Sequence, residues 1–345
     1  MTQHKELNLA LVGYGYWGPK LARNINAIDG LNLYAIVDRS EDLLIKAKKQ
    51  YSDAIAINDL ELALNDDSVD ALVLATPVDT HYPFAKKALL AGKHVLVEKP
   101  LCSSYQEAVE LFDLARQVGK KLMVDHTYLY TDSVRKMKEL VENGEVGNIT
   151  YVDSTRINLG LFQHDVNVLW DLAPHDISIT SYLIGKMPVM VQAFGAAHAK
   201  SNIENIAYLN IKFENELIAH FNCSWVSPVK IRHFMVGGDK KMILFNDLEA
   251  TEKIRIYDTG YEVMNKDEQA RLQVDYRVGD VHIPKIPSSE ALFNMLEDFR
   301  EFVVNDREPI SSEAIAKDVV GILEMAEKSI KNNGEPVFAK NFVNI

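Results

Sequence analysis

Three polar side chains in this 345-residue sequence have the types and spacing to move a proton on or off a small-molecule oxygen. Asp171 and His175 lie four residues apart in Trp170-Asp171-Leu172-Ala173-Pro174-His175-Asp176, so on a helix they share one face. An imidazole titrates near neutrality and can take a hydroxyl proton, and a carboxylate one turn away can orient it. Lys99 stands in Glu98-Lys99-Pro100. Its ammonium can hydrogen-bond a substrate hydroxyl and tune a neighbouring base. Plainer readings exist for each. Asp171 can cap a helix above a partly buried His175, and a Lys-Pro pair is commonly a solvated loop. Because proline is tolerated in a helix's first turn, Pro174 predicts a helix beginning near Ala173, with Asp171 just ahead of it near the N-cap.

A second group of residues binds rather than reacts. Gly13-Tyr14-Gly15-Tyr16-Trp17-Gly18 is a GxGxxG turn. Its first glycine makes the turn, its second lets the backbone approach a pyrophosphate, and its third lets helix and strand pack closely, with phosphates at the helix's positive end. Glycine-rich turns are common. This one follows a strand-like run at 7–13 and opens a helix-like run at 19–28, and Asp38 ends the next strand-like run at 31–38. Asp38 suits hydrogen bonding to an adenine-ribose hydroxyl, which favours NAD; its plainer reading is an exposed strand-end carboxylate. Arg39 can accept a 2′-phosphate or stack on adenine, which leaves NADP open.

These residues need elements to hold them. Helix-like runs at 41–51, 81–91 and 105–118 alternate with strand-like runs at 70–76, 94–98 and 121–125. Alternation of this kind predicts a parallel, doubly wound α/β Rossmann domain over residues 1–125. Lys99 then lies beyond the carboxyl end of a strand, on the ligand side of such a sheet. From residue 126 the pattern changes. A helix is expected at 131–143, and then strand-like runs at 149–158, 189–198, 206–213, 217–225, 231–236, 241–245 and 254–257 follow with short turns. One helix at 170–184 interrupts them, and two at 290–304 and 312–332 end the chain. Residues 126–345 are therefore expected to form an α+β domain with one large open, mainly antiparallel sheet. A face that wide needs a cover, and self-association into a homodimer or homotetramer is the simplest.

Composition narrows the function classes. The net charge is −12, from 37 Lys+Arg against 49 Asp+Glu. Nucleic-acid and anionic-membrane binding need basic patches, so neither partner is expected. There is no apolar run long enough for a bilayer and no signal-peptide core near the polar N-terminus. The two cysteines, Cys102 and Cys223, have no metal-ligand spacing; no metal is expected, and the location read is the cytoplasm.

The chain resembles the Gfo/Idh/MocA oxidoreductases (glucose–fructose oxidoreductase, inositol dehydrogenase). Five features carry the resemblance: Gly13 to Gly18; Thr76-Pro77; His81; the stretch Ala91-Gly92-Lys93-His94-Val95-Leu96-Val97-Glu98-Lys99-Pro100; and Asp171 and His175 in a D-x-x-x-H element. The EKP-containing stretch is the most specific part. The resemblance implies that Lys99 and His175 are catalytic and that Asp171 assists. It implies a dinucleotide held by Gly13, Gly15, Tyr16, Trp17, Gly18, Asp38, Arg39, Thr76, Pro77, His81, Glu98 and Lys99. It further implies hydride transfer at a sugar or cyclitol carbon. Two departures bear on the substrate. Ala173 replaces the family's usual glycine, and Asp125-His126-Thr127-Tyr128-Leu129-Tyr130 stands where an Asn-x-Arg segment is common. The pairing of Gly15-Tyr16-Trp17-Gly18-Pro19 with Asn158-Leu159-Gly160-Leu161-Phe162 looks like members acting on nucleotide-linked amino sugars.

The expected activity is NAD(P)-dependent oxidoreduction at a secondary alcohol or ketone carbon of a sugar, with C3 of a nucleotide-linked N-acetylamino sugar as the specific expectation. A phosphate-bearing substrate would suit Arg156, whose planar fork donates two parallel hydrogen bonds; pairing with a carboxylate is its plainer reading. Tyr128 and His126 are further candidates for substrate binding. For His81, His126 and His164 a site role and a structural role are both open. Alternative functions are a non-catalytic dinucleotide-sensing regulator, an NAD-dependent glycosidase and an inositol dehydrogenase.

Overall fold

The structure, a computed structural model, describes residues 6–160, 162–164, 166–198, 202–263 and 274–341. Leu161 and residues 1–5 lie outside the described residues. The chain forms two compact units: Met1–Thr131 with Ser289–Gly321, and Asp132–Ser288 with Ile322–Ile345.

In the first unit the apolar run Leu7–Val12 (β1) is buried along nearly its whole length, as befits a strand covered on both faces. It sits in a six-stranded sheet with Leu31–Val37 (β2), Ile55–Ile57 (β3), Ala71–Leu74 (β4), His94–Glu98 (β5) and Leu122–Asp125 (β6). The order is β3-β2-β1-β4-β5-β6, and every pair is parallel. Strand order reverses between β1 and β4, so the glycine turn after β1 opens at the switch point where such sheets bind ligands. The crossovers are Gly18–Ile25 (α1), Glu41–Gln50 (α2), Leu60–Leu64 (α3), Val78–Leu90 (α4) and Tyr105–Gln117 (α5). Ser40 caps α2 and Ser104 caps α5 through side-chain oxygens. Two elements, β3 and α3, were not expected. β3 is a three-residue edge strand whose Ile55 and Ala56 are exposed, so no apolar run announces it. Helix α4 starts at Val78 rather than 81 because Pro77 takes the N-cap, which puts His81 one turn inside.

The second unit opens with Asp132–Glu142 (α6), and a nine-stranded sheet follows. Its strands are Ile149–Leu159 (β7), Met190–Ala196 (β8), Ile206–Lys212 (β9), Ile218–Ser224 (β10), Val226–Gly238 (β11), Met242–Asn246 (β12) and Ile254–Tyr257 (β13), with the short Val281–His282 and Val337–Phe338 at the two edges. Gly260–Val263 and Val274–Arg277 form a separate two-stranded pair. Side chains alternate along β9: Ala207, Leu209 and Ile211 are buried, and Tyr208 and Asn210 face out. The expected antiparallel pattern holds except at the centre, where β7 and β10 pair in parallel from Tyr151↔Ile218 to Ile157↔Ser224. A parallel neighbour needs a crossover, and Val168–Ile184 (α7), between them in sequence, packs across β10, β7 and β9.

Segment Ser289–Gly321 returns to the first unit. Its helix Ala291–Asn305 (α8) packs on α1 and on the 3-10 turn Thr127–Tyr130 that follows β6. The final helix, Glu313–Lys331 (α9), contains the division between the units. No helix among the described residues is long and apolar enough to cross a membrane.

Candidate functional site

In the first unit the glycine turn has the geometry its sequence predicts. Gly13 has φ +94°, and a Cβ there would meet the Ala75 carbonyl oxygen at 2.5 Å. A Cβ on Gly18 would meet the Gly13 carbonyl oxygen at 2.4 Å. At Gly15 a Cβ would meet nothing within 4 Å, so this backbone faces open space where a ligand can approach. Helix α1 begins with no side-chain cap and no acidic residue in its first turn, which leaves its positive end available to an anion. The residues present therefore fit a dinucleotide pyrophosphate. Asp38 is fixed by two backbone donors, Tyr14 N–H to Oδ2 at 2.7 Å and Ser40 N–H to Oδ1 at 2.9 Å. Arg39 beside it is exposed. Tyr16 and Trp17 stand edge to face with Lys20 Nζ 3.9 Å from each ring centroid, and Tyr16 is 79% exposed.

At the carboxyl edge of β4, Thr76 Oγ accepts from Thr80 at 2.6 Å, and Pro77 caps α4. His81 does not face a cofactor. It is 1% exposed, with Nδ1 2.8 Å from the Pro100 carbonyl and Nε2 2.8 Å from the Thr76 carbonyl. Burial holds its pKa below the usual range, and a neutral ring donates to only one carbonyl at a time. His81 thus ties the end of β4 to the segment after Lys99, and its expected cofactor contact is corrected to a brace. His126 is likewise corrected from substrate binding. It is buried with Nδ1 2.9 Å from Ser311 Oγ, and burial pushes its pKa down to about 3. Tyr128 is half-buried in the 3-10 turn.

Lys99 is half-buried just beyond β5. Glu98 before it and Asp125 at the end of β6 are register partners on adjacent strands. Both carboxyl groups are buried. Burial and the charge of Asp125 push Glu98 well above the carboxylate range, with Lys99 pulling the other way. Burial raises Asp125 to about 6, and a hydrogen bond from Thr127 to Oδ1 opposes the rise. Glu98 and Asp125 thus stand side by side at the carboxyl edge of the sheet, one residue before Lys99.

In the second unit, α7 differs from expectation at its start. Asn167 caps it, accepting from Leu169 N–H at 3.1 Å and Trp170 N–H at 3.3 Å, so Asp171 lies in the first turn and Pro174 inside the helix. An internal proline costs about 3 kcal/mol. The cap and the burial of Val168, Leu169 and Trp170 offset that cost. Asp171 and His175 thereby share a half-exposed face of α7, while Ala173 and Asp176 point inward. Asp171 Oδ2 accepts from the buried Trp225 indole at 2.8 Å, a contact that sequence reasoning missed. Arg156 does not present its fork to a phosphate. It is 4% exposed and bidentate to Asp176, with Nε–Oδ2 2.8 Å and Nη2–Oδ1 2.7 Å. The expected substrate contact of Arg156 is corrected to a buried pair that ties α7 to β7. His164 is exposed.

Known proteins match both units. Residues 7–126 match the oxidoreductase family with the NAD-binding Rossmann fold, and residues 134–244 match the GFO/IDH/MocA C-terminal domain, about two thirds of the chain together. The uncharacterised oxidoreductase YdgJ of Escherichia coli K12 is 32% identical over 53% of this chain. That match spans only 55% of YdgJ's own length. The 2,7-anhydro-N-acetylneuraminate hydratase of Escherichia coli K12 is 23% identical over 72% of this chain and 70% of its own. Among solved structures, UDP-N-acetylglucosamine 3-dehydrogenase GnnA from Acidithiobacillus ferrooxidans superposes with a TM-score of 0.79 at 21% identity, covering 95% of this chain and 98% of that one.

Proposed function

The chain belongs to the GFO/IDH/MocA oxidoreductase family with its NAD-binding Rossmann fold, and from that premise we propose that it is an NAD-dependent dehydrogenase of a sugar secondary alcohol. The observation that carries the reading is the half-exposed face of α7, where His175 stands one turn from an Asp171 held by Trp225. Bound NAD supplies the hydride acceptor. The imidazole of His175 is the base for a substrate hydroxyl proton, and Lys99 is the second catalytic residue, its ammonium a hydrogen-bond donor to substrate oxygen. The glycine turn, the open end of α1 and Asp38 hold the dinucleotide. The fixed carboxylate of Asp38 repels a 2′-phosphate, which favours NAD over NADP.

The finer substrate proposal is C3 of a nucleotide-linked amino sugar. Its support is the Gly15-Tyr16-Trp17-Gly18-Pro19 turn and the likeness in fold to a UDP-N-acetylglucosamine 3-dehydrogenase. With Arg156 occupied by Asp176, phosphate recognition falls to other side chains. The test is net NADH formation across a panel of nucleotide sugars, free sugars and inositol. If free glucose or inositol turns over as efficiently as any nucleotide sugar, the substrate proposal fails. A second reading is favoured by the hydratase relative: a cycle in which hydride leaves and returns gives product with no net NADH. Product analysis alongside the NADH assay separates the two. We further propose a cytoplasmic homodimer or homotetramer assembled through the outer face of the nine-stranded sheet. That face exposes Phe194, Tyr208 and Ile218 on β8, β9 and β10.

A further inference from the structure

Two carboxyl groups buried side by side require an account of their protons. Glu98 and Asp125 end adjacent parallel strands in register, and they are 9% and 2% exposed. Asp125 Oδ1 accepts from Thr127 Oγ. Its Oδ2 is buried with no hydrogen-bond partner among the described residues, and the parallel register sets the Glu98 side chain on the same side of the sheet beside it. Two carboxylates cannot hydrogen-bond each other; one of them must carry a proton.

We propose that Glu98 and Asp125 share one proton and present a single negative charge that holds the Lys99 ammonium in place, which makes them positioning residues for Lys99. The inference rests on the role assigned to Lys99 above. The surroundings agree with one charge. Burial opposes ionising both groups, and each feels the positive charge of Lys99. His126, next along the chain, is held neutral by burial and does not compensate a second carboxylate. Burial holds His81 neutral as well, and its ring nitrogens lie on the Pro100 and Thr76 carbonyls. Tyr130 donates a hydrogen bond from its hydroxyl to Asp298 at 2.8 Å, and Arg307 pairs with Asp298 at 2.7 Å, so Asp298 already has its own counter-charge. The arrangement gives Lys99 a fixed counter-charge that does not double, while the pair stays hydrogen-bonded whichever oxygen holds the proton.

Two measurements that need no turnover test this. Infrared difference spectra near neutral pH, wild type minus Asp125→Asn and wild type minus Glu98→Gln, are expected to show the carbonyl band of a protonated carboxylic acid, lost in either variant. Carboxylate bands alone would overturn the shared proton. The second measurement is the pH at which Lys99 becomes half-reactive to reductive methylation, read at its peptide by mass spectrometry. Each single variant keeps one ionised carboxylate and should leave that pH in place. The double variant removes the charge and should lower it by on the order of one unit. A stepwise fall, part in each single variant, means two ionised carboxylates and overturns the proposal, as does a double variant that does not move. Absence of sugar oxidation with both readouts as expected would sink the dehydrogenase reading and leave the pair standing.

Discussion

His175→Ala should lower kcat by about 10²–10⁴-fold, the usual contribution of a general base. The dissociation constant for NAD should stay near its wild-type value, because the dinucleotide cradle belongs to the other unit. Lys99→Ala should cost a similar factor. If both side chains act on one proton, the double variant costs less than the product of the two, and steady-state kinetics on the four proteins reads this directly. A His175→Ala enzyme with wild-type kcat would leave Lys99 as the base. Asp38→Ala should narrow the preference for NAD over NADP, measured as a ratio of dissociation constants; a wild type that binds NADPH more tightly would reverse the assignment. These residues were legible because their meaning is local: a GxGxxG turn, a strand-end acid, two polar residues four apart. Arg156 and His126 were not, because what decides their role is a partner distant in sequence. Asp176 lies 20 residues from Arg156, and Ser311 lies 185 from His126. The Glu98–Asp125 pair was within reach. Two neighbouring parallel strands that both end in an acid place those acids side by side.

The segment after β6 depends on the chain's return. Ser311 donates its Oγ hydroxyl to the Val124 carbonyl at 2.7 Å, sits 2.9 Å from His126 Nδ1, and donates its N–H to the Tyr130 hydroxyl at 3.1 Å. Tyr130 and Ile310 N–H both donate to Asp298 Oδ2, each at 2.8 Å. Ser311→Ala leaves the buried imidazole nitrogen of His126 without its partner and removes one of the two donors to the Val124 carbonyl, which keeps the His126 N–H, at about 1–3 kcal/mol. The midpoint of thermal unfolding should fall accordingly, while Ser311→Thr, which keeps the hydroxyl, should recover most of it. An Ala variant as stable as wild type would show that the brace is dispensable. Helices and strands in this region were readable from apolar periodicity, but periodicity carries no information about which strand end a distant serine will meet. The same limit explains the parallel β7–β10 pair. Short turns along residues 206–257 suggest hairpins, whereas the central pairing is set by the crossover through α7. Helix α7 starts ahead of the point that Pro174 predicts because the Asn167 cap and the apolar run Val168 to Trp170 outweigh the cost of an internal proline.

Stability and assembly both follow from where charge sits. His126 has a folded pKa of about 3 against 6.5 for the free side chain. Between those values the unfolded chain binds the extra proton, so the stability gained by burying a neutral imidazole is complete above about pH 6.5 and drains as pH falls toward 3. The advantage of wild type over His126→Asn in denaturant unfolding should therefore shrink steadily as pH drops through that window. An advantage independent of pH would mean the ring is not held neutral. Assembly runs against a different charge. A chain of net charge −12 repels its own copies, so a stable oligomer needs a face where charge is sparse. The outer surface of β8, β9 and β10 offers Phe194 at 51% exposure, Tyr208 at 46% and Ile218 at 54%, with Tyr208 stacked on His220 at 6.2 Å. The opposite face of β9 and β10 is buried beneath α7 and cannot serve. Under two-fold symmetry each residue on such a face meets the same patch of its partner, and a stable interface of this kind buries about 1,600 Å² in total. Light scattering at micromolar concentration should give the mass of two or four chains. Tyr208→Lys sets like charges into a self-complementary contact and should lower that mass while leaving NAD affinity unchanged. A wild-type monomer would refute the assembly, and a Tyr208→Lys oligomer of unchanged mass would move the interface to another surface.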